Sequence, residues 1–533
     1  MSFEPRNSPV AVVTMIATIA GLALAYQMGQ WTANSNYKFV AAVFGAGGGM
    51  LIVFTLQRHF WLLIPLCWVL SGRMSWLPLP FSVQEMGVFA AFGVFVVRTA
   101  MKSVSPVTPK FNHLDMLLWF NVAIIVAMWI RTPVGLAFLG SEIVGGKPYM
   151  NVAVGLMAYL VLHKCFAGPK LAYVFPLLLL GPTAMVSFLG VFTYVFPATA
   201  PLIYPLYSGI DISSYMQDTY QGGAGGSTIQ EGRFQTLGNL GMMMIMALLA
   251  YVGPARAMNP LGLRNFLILF FALIFIGLSG FRSALIQGTA TILLASYFWH
   301  GGIGVFRTAF LGFVALVLAY SYQGVADLPR SIQRSLSFIP GPWNEEIVRG
   351  AKSSTDWRVD MWKTALTSDR YIKNKWIGNG FGFSKEDLAI MVSGSMGGQG
   401  YFGDENNKEA FMIQGSYHSG PVTAIHFAGV LGLIGILALQ IAIAGYSYRL
   451  LRRAWNTPMR PLAIVLALEA VYRPIHFIFI FGEYRGDLPS AFYQAGMMKM
   501  LENSLNAYTP VPPTPARPAV PSHAPHPRQL ASA

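Results

Sequence analysis

The sequence predicts an all-α polytopic membrane protein, with about 13–14 transmembrane helices and two long outward loops, the larger of them partly helical. Three observations carry that expectation. Of 533 residues, 54% are hydrophobic and only 11% are charged, with a mean hydropathy of +0.51. A soluble chain of this length needs a charged surface that this composition cannot supply. The apolar residues fall in runs of span length, and the basic residues fall between them on every second loop.

A helix crosses a bilayer with about 17–25 mostly apolar residues. Candidate spans lie near 10–29, 37–56, 59–72, 82–100, 114–131, 149–163, 171–196, 236–253, 264–281, 283–299, 308–323, 420–445 and 461–482. The run 488–505 reads either as a fourteenth span or as an interfacial helix. The first run is long for a signal peptide and lacks a small-x-small cleavage site before Gln27, so it reads as a span.

Basic residues orient the bundle. Arg6, Arg58, Arg98, Lys102, Lys110, Lys164, Lys170, Arg256, Arg264, Arg307, Arg449, Arg452, Arg453 and Arg460 all fall on alternate loops. Those loops are expected to be cytoplasmic, with the N-terminus inside. The net charge of +14 is therefore membrane topology and not a nucleic-acid surface, since no compact basic domain carries it. Two cysteines, Cys67 and Cys165, exclude a disulfide framework.

The organisation follows. Residues 1–323 hold spans one to eleven with an outer loop at about 197–235. Residues 324–417 form a large outer loop or cap, 418–505 the last spans, and 506–533 a disordered proline-rich tail. Loops as long as these two usually serve function.

Chemistry is expected on the outer face. Arg233 precedes span eight and Arg282 separates spans nine and ten. Guanidinium gives planar, bidentate donors suited to phosphate oxygens; the plainer reading is an interfacial side chain or a pair with a loop carboxylate. In the large loop, Arg358 and Trp362 share a helical face, with Asp356 and Asp360 as local partners for the arginine. The stretch Gly378-Asn379-Gly380-Phe381-Gly382 lacks the strand and ribose-binding acid of a dinucleotide site, and reads as a turn letting backbone approach something closely.

His418 opens the run after the large loop and is the candidate base, because its ordinary pKa lies near neutrality. Interfacial packing is the alternative. Ser419 follows it, and His426 lies on roughly the same face, deeper in the span. Within span thirteen, Glu469, Arg473 and His476 share a face; they mark either function or an internal Glu469–Arg473 pair.

The order of these elements over about 231–435 resembles the bacterial O-antigen ligase and O-antigen polymerase family of membrane glycosyltransferases. The matching pieces are Arg233 with Gly238-Asn239, Phe281-Arg282, then Arg358, Trp362 and the Gly378–Gly382 turn, and lastly His418-Ser419 with Gly429 and Gly432. Ser419 stands where the family has Asn, and Phe281 where it has Ser. The resemblance implies metal-independent transfer, with no cofactor, of a glycan from an undecaprenyl-diphosphate carrier to an acceptor hydroxyl at the periplasmic face of the inner membrane. Arg282 and Arg358, supported by Arg233, would hold the diphosphate, and His418 would take the acceptor proton. Trp362, Ser419 and His426 are candidate supporting residues, as are Glu469 and Arg473, which lie outside the stretch that carries the resemblance. The acceptor, lipid A–core in a ligase or another lipid-linked glycan in a polymerase, stays open. A lipid-linked sugar transporter is the rival from another class; it would spread ionisable groups through several spans.

Overall fold

The computed structural model describes residues 9–34, 43, 47–48, 55–74, 80–101, 111–135, 145–210, 234–323, 327–396 and 405–508. Among the described residues the chain is helical, without strands. In order come α1 (Pro9–Ala33), α2 (Leu63–Trp68), α3 (Val83–Ala100), α4 (His113–Arg131), α5 (Gly146–Leu162) and α6 (Pro169–Val195). After α7 (Ala200–Ile203) follow α8 (Gln235–Tyr251), α9 (Pro254–Ala257), α10 (Leu263–Leu278) and α11 (Arg282–Gln323). The cap helices are α12 (Arg330–Leu336), α13 (Glu345–Thr367), α14 (Lys385–Met396) and α15 (Glu405–Gln414). The last three are α16 (Gly420–Ala454), α17 (Arg460–Ile475) and α18 (Tyr484–Ala507).

By length and composition, six of the described helices can cross a membrane: α3, α4, α6, α11, α16, and α17 with its continuation to Ile480. Helices α8 and α10 are apolar but shorter. Only 11% of the most apolar stretch of α11 is buried, although its mean hydropathy is 2.0. An apolar face left open to that degree needs hydrocarbon around it, not water. The chain is a multi-pass membrane protein.

Local sequence sets the helix limits. Ser82 with Glu85, and Asn112 with Asp115, form reciprocal capping boxes that start α3 and α4. Gly301, at φ 63°, breaks α11. Ser296 Oγ and Thr308 Oγ1 lie 2.7 Å apart, whereas twelve residues of straight helix would separate them by about 18 Å. The 42-residue element is therefore a helical hairpin, which agrees with the expected spans 283–299 and 308–323.

The expected run 37–56 lies largely outside the described residues. The run 488–505 is a helix buried on most faces against α5. A Cβ on Gly155 would stand 2.7 Å from the Pro489 carbonyl, and one on Gly496 would meet Tyr159 Cα at 3.0 Å. Small residues let these two backbones approach closely, as in membrane helix pairs.

The two ends of the bundle differ. At one end Arg460 lies over the rings of Trp299 and Trp455, at 4.7 and 5.6 Å, joining the α11 turn to the α16–α17 connection. Arg449, Arg452 and Arg453 sit in the last turns of α16 beside it. At the other end α4 and α10 finish and α8, α16 and α18 begin, and the cap is attached there. Ser335 donates to the Gly277 carbonyl at 3.1 Å. The Asn344 N–H bonds Gln333 at 3.0 Å, linking α12 to α13. The cap has its own small core of Met361, Ala365, Ile372, Met412 and Tyr417, joined by Val422 of α16.

Candidate functional site

The first site component is a break in α16. Gly429 takes φ 70°, ψ −172°, dividing the helix into 420–428 and 430–454. A broken helix leaves carbonyls on one side and N–H groups on the other without intrahelical partners. The glycine-rich stretch of the cap satisfies both. The Asn379 and Gly380 N–H groups donate to the His426 and Phe427 carbonyls at 2.8 and 2.9 Å. The Lys375 and Trp376 carbonyls accept from the Val430 and Leu431 N–H groups at 2.9 and 3.4 Å. Arg131, the last residue of α4, donates to the Gly378 carbonyl at 2.6 Å and to that of Ile377 at 3.1 Å. The close approach expected of Gly378–Gly382 is thus to α16 itself.

The second component is the strand of chain entering α16. His418 has φ 51°, the one non-glycine residue with positive φ among the described residues. Left-handed backbone is unfavourable for histidine and persists only where its surroundings hold it. The holding contacts are clear. Trp362 of α13 donates its indole N–H to the Tyr417 carbonyl at 2.6 Å. The buried Tyr417 hydroxyl donates to the Met412 carbonyl at 2.8 Å and lies 3.0 Å from His426 Nδ1. On the other side, the Ser419 carbonyl accepts from Thr423 Oγ1 at 2.7 Å. The Ser419 hydroxyl does not cap α16.

The His418 ring stands between Phe411, at 5.9 Å, and Phe481, at 5.0 Å between centroids. Burial pushes its pKa down to about 4, the Arg358 guanidinium pushes the same way, and Glu483 opposes them. The imidazole is therefore neutral at pH 7 and can accept a proton. Asp360, one of the local acids expected beside Arg358, pairs with Lys408.

The third component is the turn 481–487. Arg473 bonds Glu469 at 3.0 Å and Asp487 at 3.4 Å. The other Asp487 oxygen accepts from the Glu483 N–H at 2.8 Å. The Glu469–Arg473 pair thus extends through Asp487 to the turn that carries Phe481 and Glu483 to His418. Arg485 bonds the Glu483 carboxylate through Nε at 2.6 Å and lies 5.0 Å from the centre of the Phe427 ring.

His418, Ser419, Arg358, Trp362 and His426 therefore come together, and Glu469 and Arg473 join them through the 481–487 turn. Arg282 opens α11 at the same end of the bundle, and the Arg358 charge helps to lower the His418 pKa. Arg233 lies outside the described residues. Its neighbour Phe234 donates its N–H to the Ser279 carbonyl at 2.8 Å, so the chain beyond Arg233 is fixed to the turn before Arg282. Residue type alone does not single out Phe481, Glu483, Arg485, Asp487 or Arg131. The signal for Glu483, Arg485 and Asp487 is the charged run Gly482-Glu483-Tyr484-Arg485-Gly486-Asp487, which follows directly on an apolar span.

Compared with known proteins, the chain matches no family model and no curated sequence.

Proposed function

We propose that the chain is a membrane glycosyltransferase of the O-antigen ligase or polymerase type. It moves a glycan from an undecaprenyl-diphosphate carrier to an acceptor hydroxyl on the periplasmic face of the bacterial inner membrane. The observation that carries this reading is a neutral, half-buried histidine in left-handed backbone beside Arg358, at the end of α16 opposite Arg449, Arg452 and Arg453. The positive-inside tendency assigns those arginines to the cytoplasmic side, and His418 to the outer side.

In this reading the acceptor oxygen attacks the anomeric carbon while its proton passes to a His418 ring nitrogen. The bond from that carbon to the diphosphate oxygen breaks, and the diphosphate leaves with the electron pair. Arg358, with Arg282 and Arg233, stabilises the charge that develops on it. A bound diphosphate also offsets the Arg358 charge felt by His418, so the base strengthens once the donor is in place. Trp362 holds the Tyr417 carbonyl and thereby the His418 backbone. Arg473 and Asp487 hold the turn behind the ring.

The test is transfer by the purified protein from an undecaprenyl-diphosphate-linked glycan, comparing wild type with His418→Asn. Asparagine tolerates the left-handed backbone, so the fold should survive. Loss of a general base should lower the rate by about 10²–10⁴-fold. The acceptor consumed, lipid A–core or a second lipid-linked glycan, separates ligase from polymerase. Undiminished transfer by the variant sinks the assignment of His418. Movement of the lipid-linked sugar between leaflets of liposomes without transfer would make the protein a transporter.

A further inference from the structure

Beside the broken helix is a cavity of about 600 Å³ that the proposed transfer step does not use. It lies between the chain just after α4, the cap stretch 370–387 and α16. His418 does not line it, although His426 does. Its volume is that of a small-molecule site.

The lining is cationic and aromatic. Arg370, Lys373 and Lys385 contribute three positive charges, and Tyr371 and Phe383 contribute aromatic rings, with the Arg370 guanidinium 5.8 Å from the centre of the Tyr371 ring. The lining carboxylate, Asp387, serves its own helix: it accepts from the Ser384 N–H at 3.0 Å while its N–H bonds Ser384 Oγ at 3.1 Å. Arg370 also pairs with Glu409. Three cations against Asp387 and Glu409 leave an excess of one positive charge, which an anion entering the cavity would neutralise.

The backbone of the wall is tied down before any ligand arrives, while the Arg370, Lys373 and Lys385 side chains are exposed. Asn379 accepts from the Lys373 N–H at 2.9 Å through its side-chain oxygen and donates to the Tyr371 carbonyl at 2.6 Å. Its own N–H is bonded to His426 of α16. One asparagine thus fixes two lining residues to the bundle, and a preorganised wall loses little entropy on binding.

We propose that this cavity binds an acidic saccharide, with the sugar's carboxylate or phosphate held by Arg370, Lys373 and Lys385 and its ring laid against Tyr371 or Phe383. The anion follows from the charges; that it is a saccharide rests on the glycan-transfer reading. The pairing suits the mixed character of such a ligand, because a sugar ring offers C–H faces to aromatics while its acidic group takes charge-assisted hydrogen bonds.

The experiment is direct binding to the full-length protein in nanodiscs, read by thermophoresis. The probes are a glucuronate-containing tetrasaccharide and a neutral tetrasaccharide of the same length. The acidic probe should bind and the neutral one should bind at least tenfold more weakly. Lys373→Gln combined with Lys385→Gln should weaken the acidic probe at least tenfold. The matching double arginine variant should retain binding, which guards against a merely misfolded cap, and Lys352→Gln, outside the cavity, should change nothing. His418→Asn should bind the acidic probe as wild type does, so a failure of the transfer reading leaves this result standing by itself. Equal binding of both probes, or equal binding by the double glutamine variant, overturns the proposal. So does a site that discriminates phosphatidylglycerol from zwitterionic nanodiscs through the same lysines while ignoring the acidic tetrasaccharide, because its occupant is then a lipid headgroup.

Discussion

At the scale of the residue, His418 shows how position in the fold changes the chemistry of a side chain. In sequence it is one of nine histidines, chosen for the place where a long loop meets an apolar run. What could not be seen there is its left-handed backbone, or the two phenylalanine rings that flank it. These come from Phe411 and from Phe481, which lies 63 residues on, and no local pattern announces that pairing. The pKa of about 4 has a consequence for rate. A base is active when deprotonated, so kcat/KM, which reports the free enzyme, should hold down to about pH 4 and fall below it. In kcat, which reports the donor-bound enzyme, the acid limb should lie at higher pH, because the diphosphate offsets Arg358. Arg358→Gln should raise the kcat/KM limb toward the ordinary histidine value while weakening donor binding. A pH–rate series on both proteins checks this; a wild-type kcat/KM limb near 6.5 would mean that burial does not control the base.

At the scale of the element, the central device is a helix broken at Gly429 and closed by a loop from another part of the chain. Its two glycine motifs were visible in sequence, yet only as unrelated marks: a turn at 378–382 and a glycine pair in the last third. That they are two halves of one joint depends on backbone hydrogen bonds, which leave no trace in residue type. The joint gives Gly429 a strict requirement. A Cβ there would stand 2.1 Å from the Trp376 carbonyl oxygen, in a backbone conformation that L side chains rarely adopt. Gly429→Ala should therefore cost at least about 1–3 kcal/mol of stability, and it should release the cap to proteolysis between 374 and 382. Gly445→Ala is the internal comparison, since nothing lies within 4 Å of its Cβ and it sits in regular helix. That change should leave the melting temperature unchanged or slightly raised. Equal melting temperatures for the two variants would show that the loop does not depend on the break.

At the scale of the whole molecule, the sequence offers a charge pattern along the bundle but not the tie across it. Among the described residues, Arg449, Arg452, Arg453 and Arg460 lie at one end of α16, with His418 and the cap at the other. The tie is different. Lys499 of α18 and Asp115 of α4 form an ion pair at 2.7 Å, and neither side chain is exposed. Tyr159 of α5 donates to the other Asp115 oxygen at 2.6 Å, and the Asn112 N–H donates to the first at 2.8 Å. The partners stand 384 residues apart. Lys499 alone looks like a reason to doubt that its run enters the bundle, and only the pairing explains how a lysine comes to be buried there. A buried pair need not stabilise a fold relative to apolar residues of the same shape, but breaking one strands a charge, at a cost of about 3–5 kcal/mol. Asp115→Asn and Lys499→Met should each lower the melting temperature of the detergent-solubilised protein sharply. The double variant removes both charges and should recover much of that loss, giving a strongly non-additive cycle. Simple additivity would mean that the two side chains act independently and that α4, α5 and α18 are held by packing alone.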